Sequence, residues 1–310
     1  MVQVKRILCP IDFSEFSMHA LEQAVALAHA SGAEITTVHV FVAPDPIAEL
    51  VPVGGAVALE RVALSAGYRR QLETELTEFV APVKAGGVPV TTRIGQGAPA
   101  TVIVDTAAAI HADLIVMGTH GRSGFQRLLL GSVTEKVLRK AGCPVLTVPR
   151  RAANTTELTF ENILCAIDFS QASLHALDIA LSMADECHGR LTVINVLELL
   201  PEGSLGIDGQ PVLDTTDLRA ELEQNARQQM AAAIPDARRH SCDIQELITM
   251  GRPYREILRV AEQERADLIV VGVQGRGAVD LAFFGSTTQH IVRQAAVPVL
   301  SIRAENSVFA

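Results

Sequence analysis

"VMGTHGRSGFQRLLLGSVTEKVL", residues 116–138, runs from a continuous apolar stretch into a glycine-rich loop and out into a helix-like segment. The chain repeats this figure at 270–292 as "VVGVQGRGAVDLAFFGSTTQHIV", so that Gly118, Gly121 and Gly131 return as Gly272, Gly275 and Gly285. A loop copied with its spacing predicts a copied unit.

The copy extends outward in both directions. "ILCPIDFSEFSMHAL" (7–21) lies over "ILCAIDFSQASLHAL" (163–177), matching Asp12 with Asp168, Ser14 with Ser170 and His19 with His175, all 156 apart. Further on, "HADLIVMG" meets "RADLIVVG" and Pro144 meets Pro298, now 154 apart. The chain therefore reads as a tandem duplication with a two-residue length difference between the second strand and the third helix. The expected domains are residues 1–150 and 159–304, joined by a polar linker at 151–158 and followed by a tail at 305–310. A length of 310 residues agrees, because single cores rarely grow that large.

Within a copy, short apolar runs alternate with helical patterns. "KRILCPID", "EITTVHVFV", "VPVTTRI", "DLIVMG" and "CPVLTV" read as strands. "SMHALEQAVALAHASG", residues 58–84, "APATVIVDTAAAIH" and "SVTEKVLRKAG" read as helices. On the first helix Leu21, Ala24, Val25 and Ala28 share a face, and Gly32 ends it. Strands apolar on both faces and alternating with helices predict an α/β fold: two Rossmann-like domains, each a five-stranded parallel sheet with helices on both faces. Pro144 and Pro298 lack an N–H and so place the last strand of each unit at an edge. Such apolar edges invite pairing, and the expectation is that the two edges meet across an internal pseudo-twofold axis.

Composition narrows the function classes. A formal net charge of -9 argues against nucleic acid, where cationic side chains must neutralise phosphates. No apolar run is long enough for a membrane span or a secretory signal, so a cytoplasmic protein is expected. The five cysteines show no CxxC spacing, and Cys9 and Cys165 sit in apolar runs, which predicts reduced core thiols.

In a doubly wound sheet, ligands bind beyond the carboxyl ends of the strands. Asp12, Asp168, Gly118 and Gly272 fall at such ends. "GSVTE" and "GSTTQ" place Ser132 and Ser286 as N-caps, with Glu135 and Gln289 completing capping boxes. A helix start offers free N–H groups and a positive dipole end to phosphate. The glycines admit close backbone approach, and Arg122 and Arg276 supply charge. The competing reading is a structural turn with an ordinary cap.

The loop is neither a Walker A motif nor a GxGxxG fingerprint. It resembles the universal stress protein family, whose nucleotide-binding members carry Gly, two residues, Gly, nine residues, Gly-Ser/Thr. Gly118, Gly121, Gly131 and Ser132 fit that pattern, as do Gly272, Gly275, Gly285 and Ser286. The likeness spans nearly the whole chain, including "PIDFS", "GQGAPA", "GRPYREI", "CPVLTV" and "VPVLSI". It implies a pair of adenine nucleotide alpha hydrolase-like domains, each binding ATP, ADP or AMP. By that resemblance Asp12 and Asp168 accept from ribose hydroxyls, Val40 and Val196 pack or hydrogen-bond adenine through the main chain, Met117 and Val271 line the base and ribose, and Pro10 belongs to the same site. Gly131, Ser132, Val133 and Thr134, with Gly285, Ser286, Thr287 and Thr288, take the phosphates, with a largely hydrated magnesium ion. His120, Gly121, Arg122, Gly275 and Arg276 complete the loop contacts.

The two loops differ. The second has Asp280 and Leu281 where the first has Gln126 and Arg127. A carboxylate near a triphosphate is repulsive, so tighter binding is expected in the first half. His120, replaced by Gln274 in the copy, reads as a base, a phosphate contact or a solvated surface group. His19 and His175 read as packing or capping residues. No catalytic residue is assigned, and no spacing marks a catalytic metal.

The resulting expectation is a nucleotide-dependent sensor of the stress response, with a homodimer and a regulatory protein partner possible. The alternatives are a slow ATP-hydrolysing enzyme and an interaction module with vestigial pockets. The SGGxDS and HIGH-type motifs of adenylating enzymes do not occur. "APDPIAELVPVGGAV" and "ELLPEGSLGIDGQPVLD", after the second strand of each half, read as lids, partner surfaces or exposed loops.

Overall fold

In the computed structural model, residues 4–42, 49–53, 56–60, 66–84, 87–121, 130–149, 160–198, 215–273 and 285–304 are described. The expected linker, the tail and most of the two segments after the second strands lie outside them.

The first half runs β1 (Arg6–Pro10), α1 (Glu15–Ser31), β2 (Glu34–Phe41), β3 (Glu49–Val53), β4 (Ala56–Glu60), α2 (Ala66–Lys84), β5 (Val90–Gln96), α3 (Pro99–Ala109), β6 (Leu114–Gly118), α4 (Ser132–Lys140) and β7 (Val145–Val148). The second runs β8 (Asn162–Ala166), α5 (Gln171–Cys187), β9 (Arg190–Leu197), α6 (Thr215–Ala233), α7 (Asp236–Ser241), β10 (Asp243–Met250), α8 (Pro253–Gln263), β11 (Leu268–Gly272), α9 (Ser286–Gln294) and β12 (Val299–Ile302). Successive residues of a strand point to opposite faces, and here both faces are covered. Ile7 and Cys9 join Leu21, Ile35 and Leu76 on one side of the sheet. Leu8 joins Ile115, Val137 and Leu138 on the other. On α1, Leu21, Ala24 and Ala28 are buried and Val25 packs beside them, and Gly32 closes the helix at φ 72°.

Five parallel strands per half become one ten-stranded sheet, ordered β10-β9-β8-β11-β12-β7-β6-β1-β2-β5. The two halves join where β7 and β12 run antiparallel, with Leu146 opposite Leu300 and Val145 opposite Ser301. Leu146 and Leu300 are themselves equivalent positions, so the expected pseudo-twofold passes between them. Thr147 adds a side-chain bond to the Val299 carbonyl at 3.2 Å.

One expectation needs correction. Residues 58–84 are not one helix: Ala56–Glu60 pairs with Glu49–Val53 as a hairpin, and the helix starts at Ala66. Ala, Leu and Glu in "AVALE" favour helix by propensity, but Val53 pairs with Ala56 across the dipeptide Gly54-Gly55, a two-residue hairpin signal that outweighs it. The two-residue length difference falls where expected, between the second strand and the third helix, as the net of two changes. The second half has a shorter connection into α6 and an added short helix, α7, before β10.

All five cysteines are free thiols. Burial raises the pKa values of Cys9 and Cys165 far above the ordinary thiol range and pushes that of Cys143 up to about 12. These three are inert core groups, as expected. Among the described residues no helix is long and apolar enough to cross a membrane.

At the end of the sheet opposite the strand carboxyl termini, one aspartate per half clamps the first strand. Asp113 accepts from the amides of Lys5 and Arg6 at 2.8 Å each, and Asp267 from those of Glu161 and Asn162 at 2.7 and 3.0 Å. Asp113 also faces the Arg6 guanidinium at 3.8 Å, whereas Asn162 occupies that position in the second half and the Asp267 Oδ1 is buried without a partner. Burial accordingly raises the Asp267 pKa against the opposing pull of its two backbone donors. The folded chain then holds this proton more tightly than the unfolded chain. The associated stability is present below the unfolded carboxylate range and is lost as pH rises through the folded value. Asp267→Asn keeps an acceptor for both amides and removes the buried charge. It is expected to leave the melting temperature at pH 7.5 unchanged or raised by about 2 °C, with the difference closing by pH 4.5. Thermal unfolding at both pH values checks this, and a Tm lowered equally at both would show that the carboxylate contributes nothing through its charge.

Candidate functional site

The carboxyl end of β1 turns sharply away from the sheet. Phe13, next after Asp12, has φ 62°, and its equivalent Phe169 has the same value. A left-handed conformation is unusual for an aromatic residue and must be held by its surroundings. Asp12 Oδ1 accepts from the Ser14 amide at 3.1 Å and the Ser14 hydroxyl at 2.5 Å, while Ser14 Oγ caps α1 by accepting from the Ser17 amide at 3.2 Å. The second half repeats this, with Asp168 accepting from Ser170 N and Oγ at 3.0 and 2.6 Å. Ser14 and Ser170 thus fix one oxygen of each carboxylate and the start of the following helix together. The Asp12 Oδ2 points at the glycine loop, since a Cβ on Gly121 would stand 2.5 Å from it.

The loop glycines have more than one cause. At Gly118 an added Cβ would meet Phe16 Cβ at 2.9 Å and its carbonyl oxygen at 3.0 Å. At Gly272 it would meet Ser173 N at 2.8 Å. At those two positions the helix after β1 or β8 by itself leaves no room for a side chain. Gly131 is different: its Cβ would face Thr119 O at 3.2 Å and Thr134 Oγ1 at 3.3 Å, a tight but not closed position.

The capping boxes are not formed. The N-caps are Gly131 and Gly285, neither helix start has a side-chain cap, and Ser132 and Ser286 are the first helical residues. Glycine and serine both suit an N-cap, so the string "GS" leaves the register open by one residue. Packing decides it: the Thr134 hydroxyl bonds the Gly118 carbonyl at 3.0 Å and the Thr288 hydroxyl bonds that of Gly272 at 2.8 Å, tying each helix start to its strand end. Glu135 instead pairs with Arg139 at 2.6 Å. The Gly131 and Gly285 amides are held by the carbonyls of Thr119 and Val273 at 2.9 and 3.0 Å. What each helix start presents outward is the amides of the next residues, Ser132 to Thr134 and Ser286 to Thr288, uncapped by any side chain.

Residues 3–149 match the model of the Universal stress protein family, and so do residues 159–303. The chain belongs to the universal stress protein family. A universal stress protein of Methanocaldococcus jannaschii is 36% identical over 146 residues, 47% of this chain and 82% of its own. One from Mycolicibacterium smegmatis is 27% identical over 302 residues, 96% of each chain. A solved universal stress protein from Archaeoglobus fulgidus superposes with a TM-score of 0.64 at 25% identity, covering 97% of both chains. The tandem arrangement is therefore shared along the full length.

In this universal stress protein chain the elements gather most of the residues singled out in the sequence. Asp12, Gly118, His120, Gly121, Gly131 and Thr134 form one contiguous group in the first half. His120 lies against the Phe16 ring at 5.3 Å and its Nδ1 is 3.0 Å from the Thr119 hydroxyl. Asp168, Gly272, Gly285 and Thr288 take the same places in the second half. Met117 and Val271 are buried at the ends of β6 and β11, packed with Val40 and Val196 on the α3/α4 and α8/α9 side. Pro10 ends β1 beside Val38. Arg122, Gly275 and Arg276, like Gln126, Arg127, Asp280 and Leu281, lie outside the described residues. His19 is partly buried on α1 with no partner for Nδ1, in keeping with packing rather than capping.

The ladder of β2 shows which way the Val40 main chain faces. Ladder alternation turns the odd residues of β2 toward β5, as in the bond from Gly97 N to Phe41 O at 3.1 Å, and the even ones toward β1, as in Ile11 N to Val38 O at 2.9 Å. Val40 therefore directs its N–H and carbonyl to the side β1 has left, and no ladder partner remains there among the described residues. The pattern recurs at Val196, after the bond from Ile167 N to Ile194 O at 2.9 Å.

Proposed function

We propose that each half binds an adenine nucleotide, ATP, ADP or AMP, and that occupancy regulates the protein's interactions in the cytoplasm as part of a stress response. The observation that carries this reading is that three complementary features converge at one sheet end in each half. A fixed carboxylate suits vicinal hydroxyls, an open strand amide and carbonyl suit the hydrogen-bonding edge of a base, and an uncapped helix start suits phosphate. The residues present fit the nucleotide in this sense. Asp12 and Asp168 would take the ribose, Val40 and Val196 the base beside Pro10, Met117 and Val271. The amides of Ser132, Val133 and Thr134, and of Ser286, Thr287 and Thr288, would take the phosphates together with His120, Arg122 and Arg276. Gly131 and Gly285 set the helix starts rather than donating themselves. Among the described residues no group of three metal-ligating side chains occurs, so magnesium would be held by phosphate oxygens and its own waters.

The reading is binding, with tighter binding in the first half on the charge difference between the two loops. Domain limits of 1–150 and 159–304 belong to it. Because β7 and β12 already pair within the chain, a homodimer would use other surfaces.

The test is to purify the chain without added nucleotide, denature it and quantify released adenine nucleotide per chain by mass spectrometry, with ATP titration of the emptied protein. Bound nucleotide, or ATP uptake at two sites of unequal affinity, is expected. An empty chain that takes up no ATP would overturn the reading and leave the loops structural.

A further inference from the structure

Strands β2 and β9 each carry, at equivalent positions near the carboxyl end, a buried polar side chain that is able to donate from nitrogen. His39 on β2 is 8% exposed and Asn195 on β9 is 6% exposed. A buried polar group is costly unless bonded, and each of these has found the same partner. His39 Nδ1 lies 2.8 Å from the Ile11 carbonyl, and Asn195 Nδ2 lies 2.8 Å from that of Ile167. A carbonyl only accepts, so His39 carries its proton on Nδ1. The side chains are unlike, but the bond is the same.

The acceptor matters because of where it sits. Had β1 continued beside β2, the Ile11 carbonyl would receive the Val40 N–H, the next rung of the ladder after Ile11 N to Val38 O. The chain instead turns at Asp12 and Phe13, and a side chain on the preceding residue of β2 takes the carbonyl. The His39 ring also lies 4.5 Å from the Phe13 ring, which meets Phe79 of α2 edge-on at 5.5 Å. Packing alone does not account for the polar choice, since the Asn195 Oδ1 is buried with no partner. An apolar residue of that size would avoid leaving an acceptor unpaired, which costs more than a well-made bond returns.

We propose that His39 and Asn195 are positioning residues for nucleotide recognition: each occupies the carbonyl before the aspartate turn, which pins Asp12 or Asp168 for the ribose and keeps the Val40 or Val196 amide open for the base. The inference rests on the nucleotide reading above and assigns it two residues that contact no ligand. It also predicts that His and Asn are interchangeable at these positions, whereas residues without an N–H donor are not.

The test compares His39→Leu and His39→Asn in a chain carrying Gly285→Asp, so that the first half alone reports, using ATP and inorganic tripolyphosphate as separate probes. His39→Leu is expected to weaken ATP at least about 10-fold, as loss of one or two bonds to a charged group implies, and to leave tripolyphosphate unchanged. His39→Asn restores ATP binding. Hydrogen exchange at the Val40 amide gives a second reading without ligand: fast in wild type, and slowed in His39→Leu once the Ile11 carbonyl is released to it. Asn195→Leu and Asn195→His repeat the comparison in the second half should His39→Leu fold poorly. Unchanged ATP affinity in both leucine variants would overturn the proposal, and so would equal loss of ATP and tripolyphosphate, which signals general damage. Wild type that binds neither probe would overturn the nucleotide reading itself, while the Val40 exchange result would still decide whether His39 holds that amide open.

Discussion

Gly131→Asp is expected to remove nucleotide from the first half without weakening the fold. The backbone at Gly131 has φ -57° and ψ 132°, an ordinary extended conformation that aspartate adopts freely. At an N-cap its carboxylate would accept from the first-turn amides, so it would take the donors assigned to phosphate and add a negative charge where the phosphates must come. Charge-assisted hydrogen bonds contribute about 1.5–3 kcal/mol each, so losing two of them predicts a fall in affinity of at least about 100-fold. Stability moves little: aspartate and glycine differ by only a few tenths of a kcal/mol as N-caps, and the contacts to Thr119 O and Thr134 Oγ1 require only a small shift. Calorimetric titration should count one ATP site where wild type has two, with the melting temperature within about 2 °C. Gly285→Asp should remove the weaker site in the same way. Two sites of wild-type affinity in Gly131→Asp would show that the helix start does not hold phosphate.

That variant depends on a register the sequence left ambiguous. The tandem organisation and the parallel sheet were legible because strands buried on both faces must be apolar throughout, and "ILC" and "LIV" runs announce this directly. The aspartate turn was legible as a repeated "IDFS", although the sequence could not show that Ser14 both caps α1 and holds the carboxylate. The start of α4 was misread by one residue because Gly131 and Ser132 are both good caps, and only the Thr134 to Gly118 bond, a contact between a helix and a strand end, separates them. At Gly118 and Gly272 the backbone of the crossing helix also leaves no room for a side chain, a constraint invisible without the packing. His39 and Asn195 escaped notice because a repeat comparison rewards identity. Two different side chains that make one bond look like drift until the acceptor is seen.

The junction between the halves leads to the second large effect: residues 1–150 produced alone are expected to form a homodimer through β7. In the whole chain, β7 is paired on one side with β6 and on the other with β12, and all four of its residues are buried. Removing the second half exposes the outer side of "VLTV" as an apolar edge with unpaired backbone groups, the arrangement most prone to recruit another strand. The register already present is self-complementary, because Leu146 faces its own equivalent Leu300 and the flanking pairs exchange Val145 for Val299 and Thr147 for Ser301. A second copy of β7 can therefore replace β12 with the axis passing between two Leu146 side chains, at the cost of losing the high effective concentration that one continuous chain provides. Sedimentation of the isolated half should give a dimer that dissociates on dilution, and Leu146→Lys should make it monomeric by placing a charge in the middle of the edge. In the full chain, the same Leu146→Lys would bury an unpaired ammonium against Leu300. It should cost several kcal/mol, seen as a Tm drop of roughly 10 °C or loss of soluble protein. A monomeric wild-type half would show that the pairing of the two edges depends on their being joined, and that the apolar character of β7 serves only the core beneath it.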